Sequence, residues 1–263
     1  MARNFERYGP MQQQIVRQPD ITGQSLAEQI KRTREMLREM TPAKALEVIE
    51  FHRDLNFFEA LALAKREGKL IVPNDIHDEI LTKTTDKEYI KQNYHVWTGT
   101  LVIYEAPDKP FDEQVVYSWE ELNQVKPSIS FEVPEQFKGL RNCALAIEHP
   151  DFELINLGNK NYEIKVSDEE AIHQIEQFPK QDGWYIPDAE TGIPRGKAVK
   201  ESSDARHLGR TTDDSYLSPV ARSGDFFSHD ARRYVTIYER LSASFDVALV
   251  PLAVAPKMSD SHD

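Results

Sequence analysis

The chain has 263 residues, of which 40% are hydrophobic and 29% charged, and a formal net charge of −12 at pH 7. This usage is ordinary for globular proteins, so it excludes a wholly disordered or fibrous chain and predicts one large or two smaller domains. No run approaches the roughly 18 apolar residues that cross a bilayer, and the first residues lack the apolar stretch of a secretory signal. The predicted location is therefore the cytoplasm, without a membrane span.

Acidic side chains are concentrated in the middle of the sequence. Residues 70–192 hold 24 acidic and 10 basic side chains. A field of that sign repels phosphate backbones, so no nucleic-acid partner is expected. Cys143 is the single cysteine and lies in an apolar run. A single cysteine excludes an intramolecular disulfide framework. Its thiol is predicted to be buried and inert.

Apolar residues in the N-terminal part of the chain recur at the spacing of an α-helix. Residues 1–24 have no apolar period and are predicted to be a flexible arm, followed by a helical region over 25–94. Within that region, capping residues and apolar residues at helical spacing predict five helices, near 25–40, 41–55, 56–68, 75–81 and 86–92. His52, at the end of the second predicted helix, is interpreted as a structural residue.

The pattern changes from residue 95 onward, where short β-type runs alternate with turn residues. Residues 95–180 are predicted to form an α+β scaffold whose one helix covers 168–177, residues 181–254 a β-rich ligand-binding region, and residues 255–263 a disordered tail. The predicted strands are 100–104, 115–119, 129–133, 144–148, 152–157, 162–166, 184–186, 216–221, 233–238 and 247–252. The predicted fold class is thus α+β, with a helical N-terminal part followed by a mostly antiparallel β-rich part.

The common enzyme signatures are absent from the sequence. It has no glycine-rich phosphate loop, no nucleophile elbow and no zinc-binding helix motif. Asp75, His77, Asp78 and Glu79 are of metal-ligating types, but adjacent residues of a helix point apart, so a solvated helix start is the preferred interpretation. No catalytic residue, metal or cofactor is predicted.

The C-terminal region is rich in small polar and aromatic residues. In the stretch 233–238 the two-residue period places Val235 and Ile237 on a core face and Tyr234, Thr236 and Tyr238 on the other face. A mixture of rigid aromatic and small polar side chains is typical of antibody-like binding surfaces. The alternative interpretation is that these residues cover the solvent face of a small sheet, with Arg232 and Arg233 paired to nearby acids. The predicted ligand-binding residues are Asp213, Asp214, Ser215, Tyr216, Ser218, Phe226, Phe227, Ser228, His229, Tyr234, Thr236, Tyr238, Ser244 and Asp246.

The same region resembles the C-terminal end of the variable proteins of diversity-generating retroelements. The resemblance lies in His207-Leu-Gly-Arg210, Pro219-Val-Ala-Arg-Ser-Gly224, Arg232-Arg-Tyr-Val235 and Leu241-Ser-Ala-Ser-Phe-Asp-Val-Ala-Leu-Val250. It implies a C-type-lectin-like fold towards the C-terminus, with a ligand-binding surface whose codons are deliberately diversified. It also implies a fixed framework at Val220, Arg222, Arg232, Arg233, Val235, Phe245, Val247 and Val250.

Three functional hypotheses follow. The leading one is a non-enzymatic protein that recognises a protein or other macromolecule through its C-terminal surface. The second is an enzyme of unrecognised, hydrolase-like class that uses carboxylates of the acidic middle with His149 or His173; convergent carboxylates with perturbed pKa values would be its sign. The third is a structural or interaction protein that presents an exposed apolar stripe on its front helices. The oligomeric state is left open.

Overall fold

The computed structural model describes residues 25–83, 95–106, 109–119, 126–209, 216–223, 234–236 and 241–253. The helices in these ranges are Leu26–Glu39 (α1), Pro42–Val48 (α2), Phe57–Glu67 (α3) and Asn74–Lys83 (α4). The strands are Glu50–Leu55 (β1), Lys69–Ile71 (β2), His95–Tyr104 (β3), Gln114–Ser118 (β4), Ser128–Glu132 (β5), Cys143–Glu148 (β6), Phe152–Gly158 (β7), Asn161–Val166 (β8), His173–Glu176 (β9), Gly183–Pro187 (β10), Pro194–Arg195 (β11), Arg206–Gly209 (β12), Tyr216–Ser223 (β13), Tyr234–Thr236 (β14) and Phe245–Pro251 (β15). None of these helices has the length and apolar character needed to cross a membrane.

Two of the predicted helix starts are confirmed in atomic detail. At α1, the Ser25 hydroxyl accepts the Glu28 amide at 3.3 Å, while the Glu28 carboxylate accepts the Ser25 amide at 2.7 Å. At α3, Asn56 and Glu59 make the same reciprocal pair at 3.0 and 2.9 Å. The α3 helix ends at Gly68, whose φ of 61° lies in the left-handed region that glycine adopts without a Cβ clash.

The second predicted helix begins at Pro42 as expected but is too long, and the predicted helix over 168–177 is wrong, because strand pairing outweighs the local helical pattern. The second helix ends at Val48, and the next residues, including His52, form β1, which pairs with β15. The predicted helix over 168–177 is instead a 3-10 turn, Glu169–Ala171, followed by β9, which pairs with β6. The predicted helix at 86–92 lies outside the described residues.

The described strands form two sheets. In the larger one, the order β1-β15-β3-β13-β14-β12-β10-β11 carries β2 on β15, β6 on β3 and β9 on β6. The smaller sheet has the order β4-β5-β8-β7. The pairs β3/β15, β12/β14 and β5/β8 are parallel and the other described pairs are antiparallel. The α+β class with a mostly antiparallel body is therefore confirmed.

Strands from distant parts of the sequence share the larger sheet. The strand β15, from the C-terminal region, pairs with β1 and β2 of the predicted helical region and with β3 of the predicted scaffold. The close packing of β2 on β3 requires glycine at 99, because a Cβ there would collide with the carbonyl oxygen of Ile71. The front of the chain and its C-terminal region thus belong to one sheet.

Three buried clusters hold the layers together. The small sheet and α3 pack on one face of the large sheet around Phe57, Trp97 and Phe131. The helices α1, α2 and α4 pack on the large sheet through Ile30 and other apolar residues. The apolar stripe of α1 is thus buried, and Leu26 is the large hydrophobic side chain of α1 that stays exposed. The exposed helix stripe expected under the interaction-protein hypothesis is not found among the described helices.

Candidate functional site

Three aromatic side chains meet on the outer face of the C-terminal strands. Trp184 on β10 lies opposite His207 on β12, which lies opposite Tyr234 on β14. The ring centroids are 5.2 Å apart for Trp184 and His207, 4.8 Å for His207 and Tyr234, and 5.9 Å for Trp184 and Tyr234. We call these three residues the aromatic cluster. Each is partly exposed to solvent.

The strands fix this cluster by burying the alternate residues. Tyr185, Leu208 and Val235 point to the opposite face, where they are buried with Tyr104 and Phe178 in the third of the buried clusters. The burial of Val235 beside a partly exposed Tyr234 confirms the predicted alternation at these two positions. The aromatic cluster is therefore carried by regular strands over a packed core, which holds its rings in fixed positions.

Among the described residues, two carboxylates act electrostatically on His207 in the aromatic cluster. Burial lowers the pKa of His207, and the nearby carboxylates of Asp182 and Glu201 oppose that shift. Its Nδ1 is buried without a hydrogen-bond partner among the described residues, which also disfavours a protonated ring. His207 is consequently uncharged at neutral pH. Two apolar residues near Trp184 are also exposed: Ile186 on the same strand, and Val199, whose amide donates to the carbonyl of Trp184.

The predicted ligand-binding residues have different placements. Tyr216 is buried and stacks on Tyr104 and Tyr117, so its ring lies in the interior instead of on the face of the aromatic cluster. Ser244 is exposed and Asp246 is partly exposed, with its pKa raised by burial against the opposing effect of Arg53. Ser218 and Thr236 lie in β13 and β14, and their side chains are not described. Outside the described residues lie Asp213, Asp214, Ser215, Phe226, Phe227, Ser228, His229 and Tyr238.

A second cluster consists of ion pairs between charged side chains of α1, of α4 and of the segment around the end of β6. Arg34 contacts Glu148 at 3.0 Å and Asp151 at 3.1 Å. Arg38 contacts Asp75 at 2.8 Å and Glu148 at 3.9 Å. We call these five residues the ionic cluster. The ionic cluster connects α1 to the end of β6 in the large sheet.

Burial dominates the electrostatics of the ionic cluster. It raises the pKa of Glu148 to about 7, although Arg34 and Arg38 favour the carboxylate form. Burial also raises the pKa of Asp75 against the effect of Arg38. The Oδ1 atom of Asp75 is buried without a hydrogen-bond partner among the described residues. Two carboxylates of perturbed pKa therefore flank one guanidinium.

The two candidate histidines of the acidic middle have separate surroundings. His149 is buried, and burial together with Arg34 lowers its pKa to about 3, so it stays neutral. Its Nδ1 accepts the amide of Ile71 at 3.3 Å. His173 lies 3.3 Å from Asp188 and 2.9 Å from Glu190. His149 therefore lies next to the ionic cluster, where its carbonyl accepts from Arg34, whereas His173 on β9 contacts other carboxylates.

The three carboxylates of metal-ligating type at the start of α4 are paired with protein cations, Glu79 with Lys83, and His77 beside them is buried. Asp75 contacts Arg38 as described, and Asp78 makes a buried ion pair with Arg206 at 2.7 Å. Glu50, His52 and Glu67 have ligand atoms within 4.8 Å of one another. However, the ammonium of Lys69 lies 2.6 Å from Glu50 and 2.8 Å from Glu67. A metal ion would have to displace this lysine.

Sequence reasoning missed Trp184 and His207. Neither was among the predicted ligand-binding residues: Trp184 was assigned only to a predicted strand, and His207 only to a stretch that carries the family resemblance. The signal that could have found them is the two-residue period of each strand, which places them outside while Tyr185 and Leu208 face inward. Their proximity to Tyr234, however, depends on the register of three strands that are not consecutive in sequence.

Comparison with protein-family models, with curated proteins and with solved structures found no match. The geometry of the aromatic cluster and of the ionic cluster is therefore the basis for proposing a function.

Proposed function

We propose that this protein is a non-enzymatic recognition protein that binds a macromolecule through the outer face of its C-terminal strands, as a variable protein of a diversity-generating retroelement would. The observation that carries the proposal is the aromatic cluster: three rings from three adjacent strands, partly exposed, over a buried core. Rigid aromatic side chains supply contact area with little loss of conformational entropy, which suits a binding surface.

The burial pattern of the same region supports the proposed division into framework and contact positions. The framework residues expected from the resemblance include Val220, Val235, Val247 and Val250, and all four are buried. Diversification at such positions would leave cavities or overpacked side chains in the core. Exposed positions on the same strands tolerate change, because their side chains do not set the packing.

Sequence comparison within one genome tests the diversification part of this proposal. Close copies of the gene should differ mainly at codons that contain adenine, and these should fall on the predicted contact positions of the C-terminal region. Substitutions spread evenly along the chain, or concentrated at the buried framework valines, would contradict it.

Photocrosslinking tests the binding part separately. A photoreactive phenylalanine analogue is placed at 184 or 234, and the matched control carries it at Leu157, which is 59% exposed on the small sheet. After illumination in the native cell, we expect a discrete adduct from 184 and 234 and none from 157. Equal adducts from all three positions, or none from 184 and 234, would refute a binding surface at the aromatic cluster.

The ionic cluster favours one second candidate function, acid–base catalysis in the acidic middle. A carboxyl with a pKa near neutrality can both give and take a proton at physiological pH, and Glu148 meets this condition. Chromogenic esters, phosphates and glycosides are the substrates for a first test. If the cluster is catalytic, Glu148→Gln loses a turnover that the exposed control Glu153→Gln retains; turnover that is equal in both variants would exclude Glu148 as the acid–base group.

A further inference from the structure

We propose that the aromatic cluster binds the cationic side chain of an arginine or lysine in a basic segment of a protein partner. This inference rests on the proposed recognition function and specifies the chemistry of its ligand. Two observations meet here: the rings of Trp184, His207 and Tyr234 lie together on one face, and the exposed residues Asp182 and Glu201 act electrostatically on the His207 ring.

The ring geometry provides the first part of the argument. Trp184 meets His207 at an interplanar angle of 78° and Tyr234 at 61°. Rings tilted in this way present a face of one beside an edge of another. A guanidinium or ammonium group is attracted to the electron-rich face of tryptophan or tyrosine, and a guanidinium also stacks on it.

Charge complementarity provides the second part. The carboxylates of Asp182 and Glu201, both on exposed residues, place negative potential on the His207 ring. His207 itself is uncharged at neutral pH and therefore does not repel a cation. The chain as a whole carries a net charge of −12, which attracts a basic partner from a distance. An anionic ligand such as a nucleic acid is disfavoured by the same charges.

The apolar surroundings argue for a side chain on a protein over a free small cation. Ile186 and Val199 are 46% and 39% exposed, and the backbone amide of Val199 donates to the carbonyl of Trp184. The long aliphatic stem of an arginine or lysine can lie on such apolar surface while its charged head reaches the rings. The neighbouring residues of the partner would then contact the rest of the outer face.

The indole N–H signals of the protein's tryptophans provide a direct test. The chain has three tryptophans, and Trp97 and Trp119 are buried, so their signals are internal controls. The probe is a blocked glycine–serine heptapeptide with two arginines, and its matched control carries citrulline, which is uncharged, at both positions. We expect the Trp184 signal to shift on titration with the arginine peptide, while the signals of Trp97 and Trp119 stay in place.

Variants separate the contributions of charge and of rings. Asp182→Asn with Glu201→Gln should weaken binding of the arginine peptide about fivefold, and Tyr234→Leu should weaken it by a similar factor. The matched charge control is Asp168→Asn with Glu169→Gln, an exposed acidic pair elsewhere, which should leave binding unchanged. An equal loss from both charge variants would reveal attraction by net charge alone and would overturn the proposed site.

The outcomes distinguish this inference from the function on which it rests. Equal shifts of Trp184 with arginine and citrulline peptides, or a shift only with the neutral sugar cellohexaose, would refute a cation site. If Trp184 does not respond to the arginine peptide while photocrosslinking at 184 still gives a discrete adduct, the cation inference fails and the recognition function stands. Failure of both experiments would reject both proposals.

Discussion

Replacement of Glu148 by glutamine should change how the stability of the protein depends on pH. Burial raises the pKa of Glu148 from its ordinary value of 4.5 to about 7. Between these two values the folded protein keeps a proton that the unfolded chain has released, so this group lowers the free energy of unfolding as pH rises. One pKa unit corresponds to 1.36 kcal/mol, which gives about 3 kcal/mol over the whole window. Glutamine has no proton to lose and removes this dependence.

The comparison has to be made between variant and wild type. His149 has its pKa lowered to about 3 and contributes a dependence of the opposite sign, which cancels in the difference. Urea unfolding followed by tryptophan fluorescence at pH 4.5 to 8 should show Glu148→Gln gaining about 3 kcal/mol relative to wild type as pH rises. The exposed control Glu153→Gln should show no trend. A flat difference for Glu148→Gln as well would mean that Arg34 keeps Glu148 ionised throughout, and the reasoning would be refuted.

Two further predictions concern packing and buried charge. Gly99→Ala should destabilise the protein by about 3 kcal/mol, because the new Cβ would collide with the backbone of Ile71. In the control Gly139→Ala the new Cβ meets no atom within 4 Å, so this variant should cost only about 1 kcal/mol for its positive φ. Similar unfolding midpoints for the two variants would contradict this prediction. Arg206→Met should lower the free energy of unfolding by about 3–5 kcal/mol, because it leaves Asp78 buried without its guanidinium partner. Adding Asp78→Leu should recover more than half of that loss in a double-mutant cycle. Additive losses would show that the two residues are not coupled.

Local signals predicted the elements that local chemistry determines. The reciprocal caps at Ser25 and Asn56 and the left-handed Gly68 are interactions between residues close in sequence, and the structure has them as predicted. The strands from β3 to β8 were also predicted from the sequence, because apolar alternation marks each of them and turn residues mark their ends. These features need no information about distant partners.

Prediction failed where a distant strand decides the local conformation. Ile172, Ile175 and Phe178 are spaced by three and match a helical face, yet all three are buried by a turn and a strand that pairs with β6. His52 lies in a segment whose apolar residues have helical spacing, but this segment forms β1, whose backbone pairs with that of β15. Pairing with a neighbouring strand satisfies the same backbone groups that a helix would, and only the fold determines which occurs.

The candidate sites depend on the fold even more strongly. Tyr234 could be identified from its own strand, but its neighbours Trp184 and His207 come from strands that are separated in sequence by 23 and 27 residues or more. The raised pKa of Glu148 likewise requires α1 and α4 to enclose the end of β6. A sequence pattern can name titratable residues, but it does not give the burial that perturbs them.

The position of β15 has a consequence for synthesis of the chain. This strand pairs with β1, β2 and β3, so residues near 50, 70 and 96 acquire those partners only once residues 245–251 have been translated and have left the ribosome. Until then, the unpaired edges of β1 and β2 are open to other nascent chains, a situation that favours aggregation. We therefore expect the yield of native protein to depend on chaperones that shield these edges during translation.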